Sequence, residues 1–268
     1  MKVIVITGST RGIGFGLADS FLDLECKVVV TGRTSESLSD ALNHLRIKFS
    51  EDQILGVICD VMVFDQIKSL WETAYSHFGG IDIWINNAGI SNPQMKIWKC
   101  NPSDVNDVVD TNLLGTIYGS MVAVSGMLEQ GYGSVYNMEG MGSDGRFLDG
   151  LSFYGMSKYA LYYFTKALIE ETKGTPLIVG SLRPGMVITD LITDQYIDRP
   201  DEFERVKKIF NIIADRVENV TPWLAGEILR NNRTGVRISY LKRWKLLGRF
   251  LVSPFYKRDL FENIYGNE

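Results

Sequence analysis

Thr7-Gly-Ser-Thr-Arg-Gly-Ile-Gly14 is the stretch that decides the fold of this 268-residue chain. It directly follows the apolar run from Val3 to Ile6 and leads into an amphipathic segment from Phe15 to Leu24. A buried parallel strand, a glycine-rich turn and a helix, in this order, form the opening βα unit of a dinucleotide-binding sheet. The glycine spacing nevertheless differs from the G-x-G-x-x-G pattern, because three residues separate the first two glycines.

The glycines of this loop have separate roles in that interpretation. Gly8 and Gly12 permit a tight turn and let a ligand approach the backbone, and Gly14 lets the helix pack on the strand. The unpaired N–H groups at the start of the helix would then suit a pyrophosphate. The alternative is an ordinary glycine turn that closes a βα unit and binds nothing.

The end of the second predicted strand, 27–31, indicates which dinucleotide is bound. An NAD site has an acidic residue there for the ribose 2′-hydroxyl, but this chain continues Gly32-Arg33-Thr34. The guanidinium groups of Arg33 and of Arg11 in the glycine loop could both bind a 2′-phosphate. The sequence therefore favours NADP(H) over NAD(H), the alternative being that both arginines are solvated surface residues.

Two further predicted strands end in residues that suit the same ligand. The run 55–58 is followed by Asp60, whose carboxylate can accept a hydrogen bond from an adenine amino group, and by Val61. The run 81–85 leads into Asn86-Asn-Ala-Gly89, where small residues let a cofactor approach the backbone. Short apolar strands that alternate with amphipathic segments, such as 64–78 and 154–173, predict a doubly wound parallel sheet.

Tyr154-Gly-Met-Ser-Lys158 carries the chemistry of the predicted site. Lys158 follows Tyr154 by four positions, so the phenol and the ammonium group lie on one face of a helix. A tyrosine titrates near pH ~10 in model peptides, and a nearby lysine charge favours the phenolate, so we expect a lowered pKa for Tyr154. A hydroxyl of this kind can exchange protons with a carbonyl or an alcohol oxygen. The pattern alone is weak, since the same spacing also occurs on ordinary solvated helices.

Together these segments resemble the short-chain dehydrogenase/reductase family. The resemblance is carried by Thr7–Gly14, Asp60-Val61, Asn86–Gly89, Asn112, Tyr154-x-x-x-Lys158 and Pro184-Gly185, in that order. It implies an α/β fold: a single doubly wound Rossmann-type domain over 1–268, with a mostly parallel central sheet and helices on both faces.

The resemblance also implies roles for individual residues. Tyr154 would be the general acid, Lys158 would lower its pKa and hold the nicotinamide ribose, and Asn112 would kink its helix and hold a water of the proton relay. The implied cofactor-binding set is Gly8, Ser9, Thr10, Arg11, Gly12, Ile13, Gly14, Arg33, Thr34, Asp60, Val61, Asn87, Ala88, Gly89, Tyr154, Lys158, Pro184, Gly185, Val187 and Thr189.

One segment departs from the family pattern. The family usually has a serine at the end of the fifth strand, whereas Glu139-Gly140 stand there in this chain. Losing one donor of this kind typically costs about 100- to 1,000-fold in rate. Ser143 could replace it if the loop bulges, and Glu139 could act as an acid if burial favoured its neutral form. The alternative is that Glu139 buttresses the loop and catalysis is lost.

The same loop, 137–145, and the segments 182–191 and 220–224 resemble the chlorophyll b reductase branch of the family. That resemblance implies NADPH-dependent reduction of a formyl group on a chlorin ring. Three functions stay open. They are a reductase of an aldehyde or ketone on a bulky hydrophobic substrate, such as chlorophyll(ide) b or a related tetrapyrrole; an alcohol- or steroid-type NADP(H) dehydrogenase; and a catalytically weak NADP(H)-binding regulatory module.

Two segments outside the motifs suggest further contacts. The apolar residues of 191–213 predict a lid over a hydrophobic carbonyl substrate. The region 230–268 is a basic, aromatic C-terminal extension that includes Phe255, Tyr256 and Lys257. It could pack on its own domain, cover the substrate, dock a neighbouring subunit or lie on an anionic membrane surface.

The amino-acid composition limits which ligands, compartments and assemblies this protein can have. A chain with 45% hydrophobic residues can bury one sizeable core, and its net charge of −4 gives no reason to expect nucleic acid. Cys26, Cys59 and Cys100 predict reduced thiols and a cytoplasmic location, with peripheral membrane contact as the variant. His44 and His77 lack ligand-like companions, so we expect no metal. Long helices near 106–127 and 154–173 are the faces expected in a homodimer or homotetramer.

Overall fold

The apolar run Val3–Ile6 is the central strand of the sheet, and all four of its residues are buried. The computed structural model describes residues 1–147, 149–253 and 258–261, apart from the side chain of Arg243. Phe255, Tyr256 and Lys257 of the predicted C-terminal extension lie outside the described residues.

Within that part of the chain, seven strands form one parallel sheet in the order β3-β2-β1-β4-β5-β6-β9. A separate pair, β7 and β8, is also parallel. The strands are β1 (Val3–Ile6), β2 (Lys27–Gly32), β3 (Ile54–Ile58), β4 (Ile83–Asn86), β5 (Gly133–Met138), β6 (Leu177–Arg183), β7 (Met186–Ile188), β8 (Ala214–Arg216) and β9 (Arg237–Ser239).

Helices cover both faces of this sheet. Ile4 and Ile6 face a core shared with α1, α2 and α9, whereas Val3 and Val5 face a second core shared with α3 and α5. The helices are α1 (Gly12–Asp23), α2 (Ser35–Arg46), α3 (Phe64–Phe78), α4 (Pro102–Val108), α5 (Gly115–Gln130), α6 (Ser152–Glu171), α7 (Asp190–Thr193), α8 (Pro200–Ile213), α9 (Val217–Arg230) and α10 (Arg243–Val252). Adjacent residues of β1 alternate between the two cores because strand side chains alternate in direction.

The order of the strands determines where a ligand can bind at the edge of the sheet. β1 pairs with β2 on one side and β4 on the other, and Val5 lies opposite both Val29 and Trp84. Chain connections leave β1 and β4 in opposite directions, so a crevice opens at their carboxyl ends, where ligands bind in sheets of this kind. The glycine loop follows β1 and Asn87–Gly89 follow β4 at this crevice.

Predicted element bounds differ from the observed ones where loop geometry matters. α1 begins at Gly12 rather than Phe15, since the glycine loop itself supplies its first turn. The predicted helix over 106–127 is interrupted: α4 ends at Val108, a π-helical turn spans Val109–Leu114, and α5 continues from Gly115. Such π turns carry an inserted residue and frequently occur at functional sites.

A third, small core lies under the segment predicted as a lid. It contains Tyr196, Phe203 and Phe210, which are 8%, 4% and 8% exposed and pack against Phe261. The apolar residues of 191–213 therefore divide into two groups. Tyr196, Phe203 and Phe210 stabilise the segment itself, while Leu191, Ile197 and Ile209 lie at the surface.

No helix among the described residues is both long enough and apolar enough to span a bilayer.

Candidate active site

Tyr154 lies in the first turn of α6, and a buried asparagine fixes its backbone. The Tyr154 N–H donates to Oδ1 of Asn92 at 3.1 Å, and Asn92 Nδ2 donates to the Gly150 carbonyl at 3.2 Å. Asn92 is 2% exposed, so these bonds are shielded from water. The sequence gives no sign of this role for Asn92, because an asparagine in the loop after β4 belongs to none of the recognised motifs.

Lys158 follows one turn later on the same face, as the spacing predicts. Its Nζ donates to the Met138 carbonyl at 3.3 Å and lies 5.8 Å from the centre of the Tyr154 ring. Lys158 is 4% exposed. The Tyr154 hydroxyl has no hydrogen-bond partner in the described part of the chain, so it is free to bond a ligand.

The electrostatics differ from the sequence expectation. Burial raises the pKa of Tyr154 to about 12, whereas a lowered pKa was expected from the lysine charge. Burial also lowers the pKa of Lys158 to about 8, against the opposing influence of the Glu139 charge. Desolvation therefore sets the direction of the shift, and the expected lowering of the Tyr154 pKa is wrong.

Asn112 lies inside the π-helical turn and is fully buried. Its Oδ1 accepts from the Ile90 N–H at 2.8 Å, and its Nδ2 donates to the Ile90 carbonyl at 2.9 Å and to Ser157 Oγ at 3.0 Å. A Cβ on Gly89 would lie 3.2 Å from Asn112 Oδ1 and 3.4 Å from Lys158 Nζ. The structure thus brings Asn112, Lys158 and Gly89 together. Ser157 was missed although it stands within Tyr154-Gly-Met-Ser-Lys158.

Glu139 and Ser143, the two predicted replacements for the family serine, bond to each other. Ser143 Oγ donates to Glu139 Oε2 at 2.9 Å, and both residues are buried. Arg237 of β9 donates to the same oxygen through Nε at 3.0 Å and also through Nη2. No hydrogen bond joins Ser143 to Tyr154 among the described residues. The sequence signal for Arg237 was an arginine within a short apolar run, which the sequence analysis counted as part of the basic C-terminal extension.

Gly140, the residue after Glu139, has no room for a serine side chain. A Cβ on Gly140 would lie 2.3 Å from the Tyr154 hydroxyl and 3.2 Å from Lys158 Cε. Real Cβ atoms do not approach other atoms so closely, so a side chain at Gly140 would require Tyr154 to move. The phenol therefore occupies the space of the missing donor.

The glycine loop forms a cradle at the carboxyl end of β1. Gly8 and Gly12 have φ of +60° and +57°, in the left-handed region that favours glycine. A Cβ on Gly14 would lie 2.3 Å from the Gly8 carbonyl oxygen, and one on Gly12 would lie 3.4 Å from Thr189 Cγ2. The open backbone of this loop fits a dinucleotide pyrophosphate, as the sequence predicts.

Two of the predicted cofactor-binding side chains shape the loop itself. Ser9 Oγ donates to the Ile6 carbonyl at 2.8 Å and accepts from the Thr31 N–H at 2.8 Å, and Ser9 is fully buried. Asn87 Nδ2 donates to the carbonyls of Thr7 and Gly8 at 3.0 and 2.9 Å. Because both side chains already form hydrogen bonds within the protein, Ser9 and Asn87 could support a cofactor mainly by holding the backbone in place.

Arg11 and Arg33 lie at the ends of neighbouring strands. Arg33 follows β2, is exposed and forms no ion pair within the described residues. Arg11 is also exposed, and its Nη1 lies 3.4 Å from the Asp190 carboxylate at the start of α7. Thr34 accepts a hydrogen bond from the Ser37 N–H at 3.3 Å and caps α2. Both guanidinium groups are therefore exposed to solvent, Arg33 directly after β2 and Arg11 beside Asp190.

The remaining predicted contacts lie around the same crevice, and several of them have little side-chain surface to offer. Val61 and Val187 are 5% and 3% exposed, so these residues could contact a cofactor through the backbone. Asp60 Oδ1 accepts from the Met62 N–H at 3.0 Å, which turns the chain after β3. The other predicted residues flank the crevice as follows: Thr10 and Ile13 in the glycine loop and α1, Ala88 after β4, and Pro184, Gly185 and Thr189 around β7.

A family model of the short chain dehydrogenases matches residues 2–199. The chain belongs to the short-chain dehydrogenase family. Members of this family are NAD(P)-dependent oxidoreductases. The predicted family and the Rossmann-type α/β fold are confirmed.

Curated relatives of this short-chain dehydrogenase include plant and bacterial proteins. The chain is 32% identical over 97% of its length to the probable chlorophyll(ide) b reductase of Arabidopsis thaliana, and 33% identical over 84% to the chlorophyll(ide) b reductase of Oryza sativa. It spans 54% and 66% of those two proteins. A 3alpha-hydroxysteroid dehydrogenase of Mediterraneibacter gnavus is 30% identical over 71% of the chain and 76% of that protein.

Solved structures share the fold. An actinorhodin polyketide ketoreductase with NADPH superimposes with a TM-score of 0.77 at 26% identity, over 89% of this chain and 95% of that one. The closed form of serine dehydrogenase complexed with NADP⁺ has a TM-score of 0.78 at 23% identity, over 90% and 94%.

Proposed function

We propose that this short-chain dehydrogenase is an NADPH-dependent reductase of an aldehyde or ketone on a bulky hydrophobic substrate. The observation that carries the proposal is the Tyr154 hydroxyl, which has no partner among the described residues and lies on the same helical face as the buried Lys158. Asn112 and the glycine cradle border the same crevice. A scaffold without catalysis would have no need of a free phenol at this point.

The cradle fits NADPH in particular. Gly8, Gly12 and Gly14 would accommodate the pyrophosphate at the start of α1, and Arg11 and Arg33 would bind the 2′-phosphate. No carboxylate stands at the end of β2 to bind a ribose 2′-hydroxyl in its place. When bound, the cofactor supplies the hydride.

Tyr154 would donate the proton to the carbonyl oxygen. Because burial raises the pKa of Tyr154 to about 12, its hydroxyl stays protonated at neutral pH and is ready to donate. This state suits reduction, since oxidation of an alcohol would require the phenolate as a base. Lys158 would bind the nicotinamide ribose and stabilise the phenolate that forms, while Asn112 holds the π-helical turn against Ile90 and Ser157.

For the substrate we propose the formyl group of chlorophyll(ide) b or a related tetrapyrrole. The support is the identity of 32% and 33% with plant proteins that carry this name, together with the Glu139-Gly140 loop. The segment 191–213 would close over the ring, with the exposed Leu191 and Ile197 available to it. The 30% identity with a steroid dehydrogenase favours an alcohol- or steroid-type substrate as the second candidate.

The same proposal includes an assembly and a location. We propose a homodimer or homotetramer through α5 and α6, because their surfaces expose large side chains: Met121 at 54%, Tyr159 at 56% and Tyr163 at 75%. We further propose a cytoplasmic protein, with α10 as the element for peripheral membrane contact. Cys26, Cys59 and Cys100 are all free thiols, which suits a reducing compartment.

The test is NADPH oxidation with a panel of carbonyl compounds running from small aldehydes to steroid ketones and a formyl chlorin. Replacing Tyr154 by phenylalanine should lower turnover by about 100- to 10,000-fold, the usual contribution of a general acid. Tyr159→Phe is the matched control, since Tyr159 is 56% exposed on the same helix. Turnover that survives Tyr154→Phe would refute the proposed mechanism. Tight NADPH binding without turnover on any substrate would favour the regulatory module.

A further inference from the structure

Arg237 connects the far edge of the sheet to the candidate active site. It lies on β9 opposite Ser181 of β6, and its guanidinium group lies 5.1 Å from the ring centre of Tyr162. Nε and Nη2 both donate to Glu139 Oε2, and Nη2 also reaches Ser143 Oγ at 3.3 Å. Glu139 is 3% exposed, so this ion pair holds a carboxylate that is almost fully buried.

The two oxygens of the Glu139 carboxylate differ in their hydrogen bonding. Oε2 accepts from Arg237 and Ser143, whereas Oε1 is buried and has no hydrogen-bond partner among the described residues. Part of the Glu139 negative charge is therefore left without local compensation. In the interior, such a charge acts over several ångströms because water does not screen it.

Lys158 is the group on which this charge acts. Lys158 Nζ donates to the Met138 carbonyl at 3.3 Å, and a Cβ on Gly140 would lie 3.2 Å from Lys158 Cε, so the residues on both sides of Glu139 in the chain adjoin Lys158. The ring centre of Tyr154, on the same helix, lies 5.8 Å from Nζ. Among the described residues, Glu139 supplies the one charge that favours protonated Lys158, against a burial effect that disfavours it. A neutral serine at the end of β5 would not provide this influence.

We propose that Arg237 is a positioning residue that holds the Glu139 carboxylate beside Lys158, and that this carboxylate keeps the buried Lys158 protonated at neutral pH. The inference rests on the proposed function, in which charged Lys158 binds the cofactor ribose and stabilises the Tyr154 phenolate. It replaces the idea of Glu139 as an acid, since a carboxylate paired with a guanidinium group has no proton to give. Ser143 then serves as a second donor to Glu139.

The experiment titrates Lys158 directly by NMR in protein labelled with ¹³C at lysine Cε, with Lys158→Arg to assign the signal. In the wild type the midpoint should lie near the pKa of about 8. Glu139→Gln removes the negative charge, and Arg237→Met removes the guanidinium group that holds the carboxylate in place, so each should lower the midpoint by about one unit. Arg237→Lys keeps the positive charge, so its Lys158 midpoint should lie close to that of the wild type.

Arg249→Met is the matched control, because Arg249 also forms an ion pair with a buried carboxylate, that of Asp215. It should leave the Lys158 midpoint unchanged, and the alkaline limb of kcat should follow the NMR midpoint in every active variant. An unchanged midpoint in both Glu139→Gln and Arg237→Met would overturn the inference, even if turnover fell. The NMR titration needs no turnover, so survival of activity in Tyr154→Phe would refute the proposed function separately.

Discussion

At Gly140 the space for a serine side chain is already filled by the phenol of Tyr154, whose hydroxyl lies 2.3 Å from the point that a Cβ would occupy. Restoring the family serine by Gly140→Ser should therefore displace Tyr154 and lower kcat rather than raise it. Gly140→Ala is the matched control, since it adds the same Cβ without a hydroxyl. We expect both variants to lose about 10-fold or more in steady-state kcat, the scale on which small displacements affect catalysis. A Gly140→Ser enzyme faster than Gly140→Ala would show that the hydroxyl is used.

A second prediction at the scale of one residue concerns the cost of burying Lys158. Its pKa falls to about 8 in the folded protein from 10.5, so the unfolded chain binds more protons between these values. The penalty for the folded state is therefore complete below pH 8 and shrinks as pH rises towards 10.5. Lys158→Met should abolish turnover yet raise the free energy of unfolding by about 1 to 3 kcal/mol at pH 7.

Urea denaturation at pH 7 and at pH 9.5 measures this effect. The gain of Lys158→Met over the wild type should be smaller at the higher pH. Lys166→Met is the control, because Lys166 is exposed on the same helix and should show no such pH dependence. A gain that grew with pH would contradict the assigned direction.

At the scale of elements, α10 has an apolar outer face. Trp244, Leu247 and Leu251 are 71%, 65% and 75% exposed. Two basic residues of the same helix contact the protein instead: Arg249 pairs with Asp215, and Lys245 Nζ lies 3.8 Å from the ring centre of Tyr240. Any membrane contact by α10 should therefore be apolar and depend little on salt.

Vesicle co-sedimentation tests this prediction at two salt concentrations. Leu247→Gln combined with Leu251→Gln should reduce binding to neutral and anionic vesicles alike, by about 100-fold if both leucines are buried in the bilayer. Ile47→Gln is the control, because Ile47 is 84% exposed outside α10. Binding that required anionic lipid and vanished at high salt would contradict an apolar contact.

The bounds of individual elements show how much of this fold can be predicted from the sequence. β1 and α3 match their predicted bounds, because their periodicity is local. The bond between Arg237 and Glu139 joins residues 98 positions apart, and no local pattern pairs them. The raised pKa of Tyr154 was missed for a related reason, since burial is a property of the packed fold whereas the spacing to Lys158 is visible in the sequence.

At the scale of the whole molecule, the outer surfaces of α5 and α6 carry large side chains that nothing in the described chain covers. Met121 of α5 and Tyr163 of α6 are 54% and 75% exposed, and both lie on helices next to the candidate active site. Such exposed apolar area is typical of an interaction surface. If two copies meet there, the interface lies directly behind Tyr154 and Lys158, and assembly would help to hold α6 in place.

Light scattering after size-exclusion chromatography tests this assembly. Met121→Glu combined with Tyr163→Glu would place like charges opposite each other in a symmetric interface, so the variant should elute as a monomer. Its kcat should also fall, because α6 carries Tyr154 and Lys158 and would lose its support from the second copy. Trp98→Glu is the matched control, since Trp98 is 77% exposed and belongs to a 3₁₀ turn, Ile97–Lys99, outside both helices. A double variant with wild-type mass and turnover would place the interface elsewhere, and a monomeric variant with full turnover would separate assembly from catalysis.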